Sequence, residues 1–182
     1  MDMVAHAYYT ADMVRALPDD GNRYETVYGE LLVTPAPRLL HQLVLQRLLR
    51  LVEDFTDHYG IGNAFMSPAD ISWRDDTLVQ PDLFVADLDE AKTMDWAQVK
   101  TLLLAVEVLS PPTVRHDRFT KRKLYQNVGI PTYWIVDPDA QSVEVWTVKD
   151  RFPKVCTEAV EWEPVGAGEP LVVDLANLFR PL

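Results

Sequence analysis

Cysteine is almost absent. Cys156 is the only one, so the chain can close no disulfide within itself and build no cysteine metal cluster. Long apolar runs are also missing. The longest, Leu102-Leu103-Leu104-Ala105-Val106, is far short of the roughly 20 residues needed to cross a bilayer, and no membrane association is expected. The first residues, Met1-Asp2-Met3-Val4-Ala5-His6, lack the basic segment and apolar core of a secretory signal, so a cytoplasmic protein is the simple reading. Positive charge is scarce: 17 Lys and Arg against 28 Asp and Glu leave a net charge of −11. That balance argues against nonspecific nucleic-acid binding through a broad basic surface, though not against an enzyme acting on nucleic acid. No glycine-rich loop is present to cradle a nucleoside triphosphate. Repeats, low-complexity tracts and linkers are missing too. With 182 residues, 48% of them hydrophobic, residues 1–182 are expected to form one well-cored domain.

What is present alternates between helical and strand-like patterns. Thr10 is a predicted N-cap, with Met13, Val14 and Leu17 on one face of a short helix. Arg23 to Val33 reads as two strands around a Tyr28-Gly29-Glu30 turn. Leu40, Leu43, Val44, Leu48, Leu51, Val52 and Phe55 recur at helical spacing and predict a helix over Leu39 to Tyr59, stopped by Gly60. Short strands follow at Asn63 to Met66, Ala69 to Trp73 and Leu83 to Ala86, with Arg74-Asp75-Asp76 as a turn. Asp87 to Trp96 reads as a solvated acidic loop without calcium-loop spacing. Thr101 to Leu109 looks like a strand covered on both faces, and Val114 to Val128 like the helix after it. Strands are predicted at Thr132 to Val136, Ser142 to Val148 and Lys154 to Trp162, with a closing element around Asp174 to Phe179. The sum is an α/β fold with helices packed on a mixed sheet.

Glu107 interrupts the apolar strand, and Pro81-Asp82 precedes another. Buried carboxylates are costly unless paired or bound to a cation. Glu107 therefore either pairs with a buried arginine or lysine, or acts as a ligand or catalyst. Asp82 alone is also ordinary turn chemistry. Asp117, Lys121 and Tyr125 follow at four-residue spacing on one helix face, which alone means no more than a surface ion pair worth about 0.3–0.5 kcal/mol. The basic stretch Arg115, His116, Arg118, Lys121, Arg122 and Lys123 reads first as a solvated face. His41 reads as a surface or hydrogen-bonded core histidine.

These residues carry a resemblance. Val79-Gln80-Pro81-Asp82-Leu83-Phe84-Val85, Val106-Glu107-Val108-Leu109-Ser110-Pro111, Asp117-Arg118-Phe119-Thr120-Lys121 with Tyr125, and Gly129 to Pro138 are similar to the Uma2 (DUF820) family, a branch of the PD-(D/E)xK restriction-endonuclease-like superfamily. Arg23-Tyr24-Glu25, Gly29-Glu30-Leu31, Pro35-Ala36-Pro37 and His41 match as well. The resemblance implies a restriction-endonuclease-like core and a metal-dependent endonuclease acting on phosphodiester bonds, most of all in DNA. It implies Asp82 and Glu107 as Mg2+ or Mn2+ ligands, the Val108 carbonyl as a further ligand, and Lys121 as the catalytic lysine. Asp117, Tyr125, Glu30 and His41 come behind them. The superfamily's usual lysine position is Leu109 here, so Lys121 matches an alternative placement; Lys123 points to another face. Thr132 stands where relatives often carry glutamate. A homodimer is implied in the same way, since cutting two strands favours paired sites. The competing reading is a nuclease-like fold used for nucleic-acid or protein binding or for assembly. A hydrolase of another phosphate ester is more remote.

Overall fold

The computed structural model describes residues 7–182; the Met1 to His6 stretch read for a secretory signal lies outside them. Helix α1 (Ala11–Arg15) is capped by the Thr10 side chain, which accepts from the Met13 N–H. Its buried face is Ala11 and Val14, while Met13 is exposed. A hairpin follows, β1 (Arg23–Val27) and β2 (Glu30–Thr34). Gly29 has φ 83° in its turn and lies against the Tyr8 ring, so a side chain there would meet both strain and a clash.

Helix α2 (Leu39–Tyr59) has the bounds that its periodicity predicts, and Gly60 ends it in the left-handed region with φ 62°. Its buried stripe is His41, Val44, Leu45, Leu48, Val52 and Thr56; Leu51 is exposed, because the stripe drifts round the helix as 3.6 residues per turn requires. Strands β3 (Asn63–Met66), β4 (Ile71–Arg74), β5 (Thr77–Val79) and β6 (Leu83–Ala86) come next. Arg74 thus belongs to a strand, and the turn is shorter than expected. The acidic loop holds a short helix, α3 (Leu88–Ala91), capped by Asp87, and a 3₁₀ turn, Trp96–Gln98. Glu90 does not face solvent idly: its carboxylate accepts from the Lys100 and Thr101 N–H groups and the Thr101 hydroxyl.

Strand β7 (Leu102–Val108) is buried along nearly its whole length. The helix after it begins with a π-helical stretch, His116–Lys121, and continues as α4 (Arg122–Asn127). Strands β8 (Tyr133–Asp137) and β9 (Ser142–Trp146) complete the centre. The run read as one strand from Lys154 to Trp162 is two, β10 (Lys154–Cys156) and β11 (Ala159–Trp162), in different sheets. Strand β12 (Leu171–Asp174) and helix α5 (Leu175–Leu178) end the described chain.

Six strands form a mixed sheet in the order β10-β9-β8-β7-β6-β3. Among the described residues only β7 and β8 run parallel, with Glu107 beside Ile135. Alternation along β7 divides its side chains: Val106 and Val108 join the core that contains α2, whereas Ala105 and Leu109 join the core that contains Leu124 and Tyr125. Glu107 shares the parity of Ala105 and Leu109 and so faces α4. A second sheet, β2-β1-β5-β4, is wholly antiparallel, and a third pairs β11 with β12. Among the described residues, no helix is long and apolar enough to cross a membrane.

Candidate active site

Asp82 stands just before β6, one step beyond the Leu83–Val106 pair, which brings it opposite Glu107 on β7. It is 3% exposed, and every oxygen is held. Oδ1 accepts from Arg23 Nη1 at 2.7 Å; Oδ2 accepts from the Val108 N–H at 2.9 Å and lies 3.1 Å from His41 Nε2. Burial works against the ionised carboxylate, but the His41 contact and the Arg23 charge outweigh it and hold Asp82 well below the usual range.

Glu107 is 1% exposed. Lys121 Nζ and the Tyr125 hydroxyl both donate to its Oε1, each at 2.9 Å. Burial pushes this carboxyl well above the ordinary value, and Lys121 offsets only part of that. Because both donors meet Oε1, Oε2 accepts no hydrogen bond among the described residues. Asp117 Oδ1 lies 3.8 Å from Lys121 Nζ, and burial raises Asp117 to about 6. Lys121, itself 2% exposed, is pulled down by burial but held above the ordinary lysine value by Glu107, Glu25 and Asp117. Asp117, Lys121 and Tyr125 converge because the π-helical stretch and the α-helical turn drift in opposite senses at four-residue spacing.

The structure thus gathers Asp82, Glu107, Val108, Lys121, Asp117, Tyr125 and His41 in one place. Glu30 is exposed at the β1–β2 hairpin and makes no bond to this cluster among the described residues. Leu109 fills the apolar core, so the lysine of the usual pattern has no place at that position. Two participants were not singled out from sequence as site residues. Glu25 on β1 is fully buried, takes the Gln80 N–H on Oε1 at 2.6 Å, and brings Oε2 to 2.8 Å from Lys121 Nζ without hydrogen-bonding geometry. Arg23, two residues earlier, pairs with Asp82. The signal available for both was a charged pair alternating with apolar residues on a strand, a pattern equally usual for solvent-facing positions.

The chemistry of this donor set suits a hard divalent cation. Glu25, Asp82, Glu107 and Asp117 are buried together against Arg23 and Lys121, so acid outnumbers base, and the raised Glu107 and Asp117 register the shortfall. Among the described residues no three His, Cys, Asp or Glu side chains converge as a closed cage. Mg2+ does not ask for one: it is usually held by one or two carboxylates, with water and phosphate completing the shell. A cleft of about 620 Å³ reaches the cluster, lined among others by Arg23, His41, Asp82, Val108, Ser110 and Asp117.

Facing carboxylates on neighbouring strands of a mixed sheet, with a lysine delivered by the following helix, define a restriction-endonuclease-like α/β protein. The chain belongs to the Uma2 family, described as "Putative restriction endonuclease", whose model matches residues 11–172. Its fold is similar to the crystal structure of a putative nuclease of the DUF820 family from Anabaena variabilis ATCC 29413, with a TM-score of 0.79 at 21% identity, covering 94% of this chain and 97% of that one. A search of the curated proteins finds no match.

Proposed function

We propose that this protein is a metal-dependent endonuclease that hydrolyses phosphodiester bonds, in DNA before other nucleic acids, with Mg2+ or Mn2+ held by Asp82, Glu107 and the Val108 carbonyl. The observation that carries this reading is the meeting of Asp82 and Glu107 across β6 and β7 at the end of an open cleft, with Lys121 Nζ 2.9 Å from Glu107. When bound, the cation polarises the scissile phosphate and lowers the pKa of an attacking water. Lys121 stays protonated beside three acids; it acts as a fixed positive charge that offsets charge developing on the phosphate, not as a proton acceptor. Tyr125 and Lys121 together fix Glu107 through Oε1 and leave Oε2 for the cation. The Val108 N–H and His41 orient Asp82 in the same way. A homodimer would place two such sites on a duplex.

Calorimetric titration of Mn2+ into the protein and into Glu107→Gln tests the reading without a guess about sequence preference. Saturable binding lost in the variant, followed by Mg2+-dependent nicking of plasmid DNA by the parent alone, is the expected result. Metal-independent nicking, or equal binding in both proteins, would reject it.

A further inference from the structure

Arg23 and Glu25 stand two residues apart on β1, so their side chains leave the same face of the strand. They meet the cluster with opposite signs: Arg23 Nη1 is 2.7 Å from Asp82 Oδ1, and Glu25 Oε2 is 2.8 Å from Lys121 Nζ. The two are not equally fixed. Glu25 is fully buried and anchored by the Gln80 N–H. Arg23 keeps 20% of its side chain exposed on the cleft wall, has Ser67 Oγ at 3.1 Å as its second partner, and among the described residues gives its buried Nε no hydrogen-bond acceptor, only a loose ion-pair contact of 3.9 Å with Glu25 Oε2. A guanidinium that donates through one nitrogen and wastes another is poorly matched for a residue whose fork suits bidentate contact with carboxylate or phosphate.

We propose that Arg23 is a two-position residue that sets the cation affinity of the site. It pairs with Asp82 while the acids have no other counter-charge, yields that carboxylate to a divalent cation, and then meets the phosphate of the substrate in the cleft. This rests on the nuclease reading above. Arg23 and the cation compete for Asp82 Oδ1, so each weakens the other there. The released guanidinium adds positive charge to the cleft wall, so metal and phosphodiester bind with positive coupling. In a chain of net charge −11, that coupling supplies local attraction for a polyanion that the overall surface does not.

The test uses Mn2+ alone and the whole chain. Arg23→Gln is expected to bind Mn2+ roughly tenfold more tightly than the parent, the scale of one charge-assisted hydrogen bond, and Arg23→Lys to fall between. Equal or weaker binding in Arg23→Gln overturns the inference and leaves the metal site standing. No binding in either protein overturns both. Should Arg23→Gln fail to fold, the parent decides: its Arg23 Nε–H resonance, assigned by its loss in Arg23→Lys, should move on titration with Mg2+ and move again when dimethyl phosphate is added to the Mg2+-saturated protein. A resonance that ignores Mg2+ while calorimetry shows saturable binding overturns the inference.

Discussion

Glu25 Oε2 lies 2.8 Å from Lys121 Nζ, an ion pair that ties the four-stranded sheet to the helix packed on the same face of the six-stranded one. Neither side chain reaches solvent; removing Glu25 leaves Lys121 with Glu107 and Asp117 but strips the Gln80 N–H of its acceptor. Glu25→Ala is expected to cost roughly 2 kcal/mol of unfolding free energy, the scale of a buried donor left without its acceptor. Glu25→Gln, which can still accept from the Gln80 N–H, should cost less. Urea denaturation measures both; a loss below about 0.5 kcal/mol in the alanine variant would mean that the pair does not hold the sheets together.

Asp82→Asn and Glu107→Gln should each abolish metal-dependent cleavage and preserve the circular-dichroism spectrum. The replacements keep shape and remove charge, so the lost quantity is cation affinity rather than packing. Undiminished cleavage by either variant would remove that residue from the site.

Lys121→Ala should slow cleavage far more than Lys123→Ala. Lys121 is buried against Glu107 and Glu25, whereas Lys123 is exposed two residues on. Lys121→Ala also leaves its acids uncompensated, so its melting temperature should fall as well. Equal rates for the two variants would confine Lys121 to a structural role in the buried cluster.

Asp117 makes stability depend on pH in an unusual direction. Its folded-state pKa is raised to about 6, chiefly by burial. The folded protein therefore holds this proton more tightly than the unfolded chain, and the group's contribution falls as pH rises from about 4 to about 6. Asp117→Asn should gain on the parent by about 2 kcal/mol between pH 4 and pH 7. Parallel stability curves for parent and variant across that interval would refute the burial argument.

Much of this architecture was legible because its signals are local. The α2 stripe, the Gly60 stop, the apolar β7 run and the turn at Gly29 each declare themselves within a few residues. Asp82 and Glu107 were legible as acids where acids are costly. What escaped depends on partners far along the chain. The short β5, Thr77–Val79, is too brief to show a period and exists through pairing with β1 and β4. The break between β10 and β11 follows from which sheet each edge joins, a tertiary choice. Glu25 looks like any strand acid until β1 is laid over Lys121, and Arg23 like any strand cation until it reaches Asp82.

The π-helical stretch His116–Lys121 holds about one residue more than a regular α-helix would wind into the same span. Deleting Thr120 would therefore let the segment relax to regular α-helix, the lower-energy local form, with little change in how Lys121 and Tyr125 stand relative to Asp117. A residue gained within α4 has no such slack: inserted after Arg122, it would turn Tyr125 by about 100° away from Lys121 and Glu107. This helix can therefore absorb exchanges on its outer face, at Arg115, Phe119 or Lys123, and even a codon lost from the π-helical stretch, more readily than a codon gained in α4.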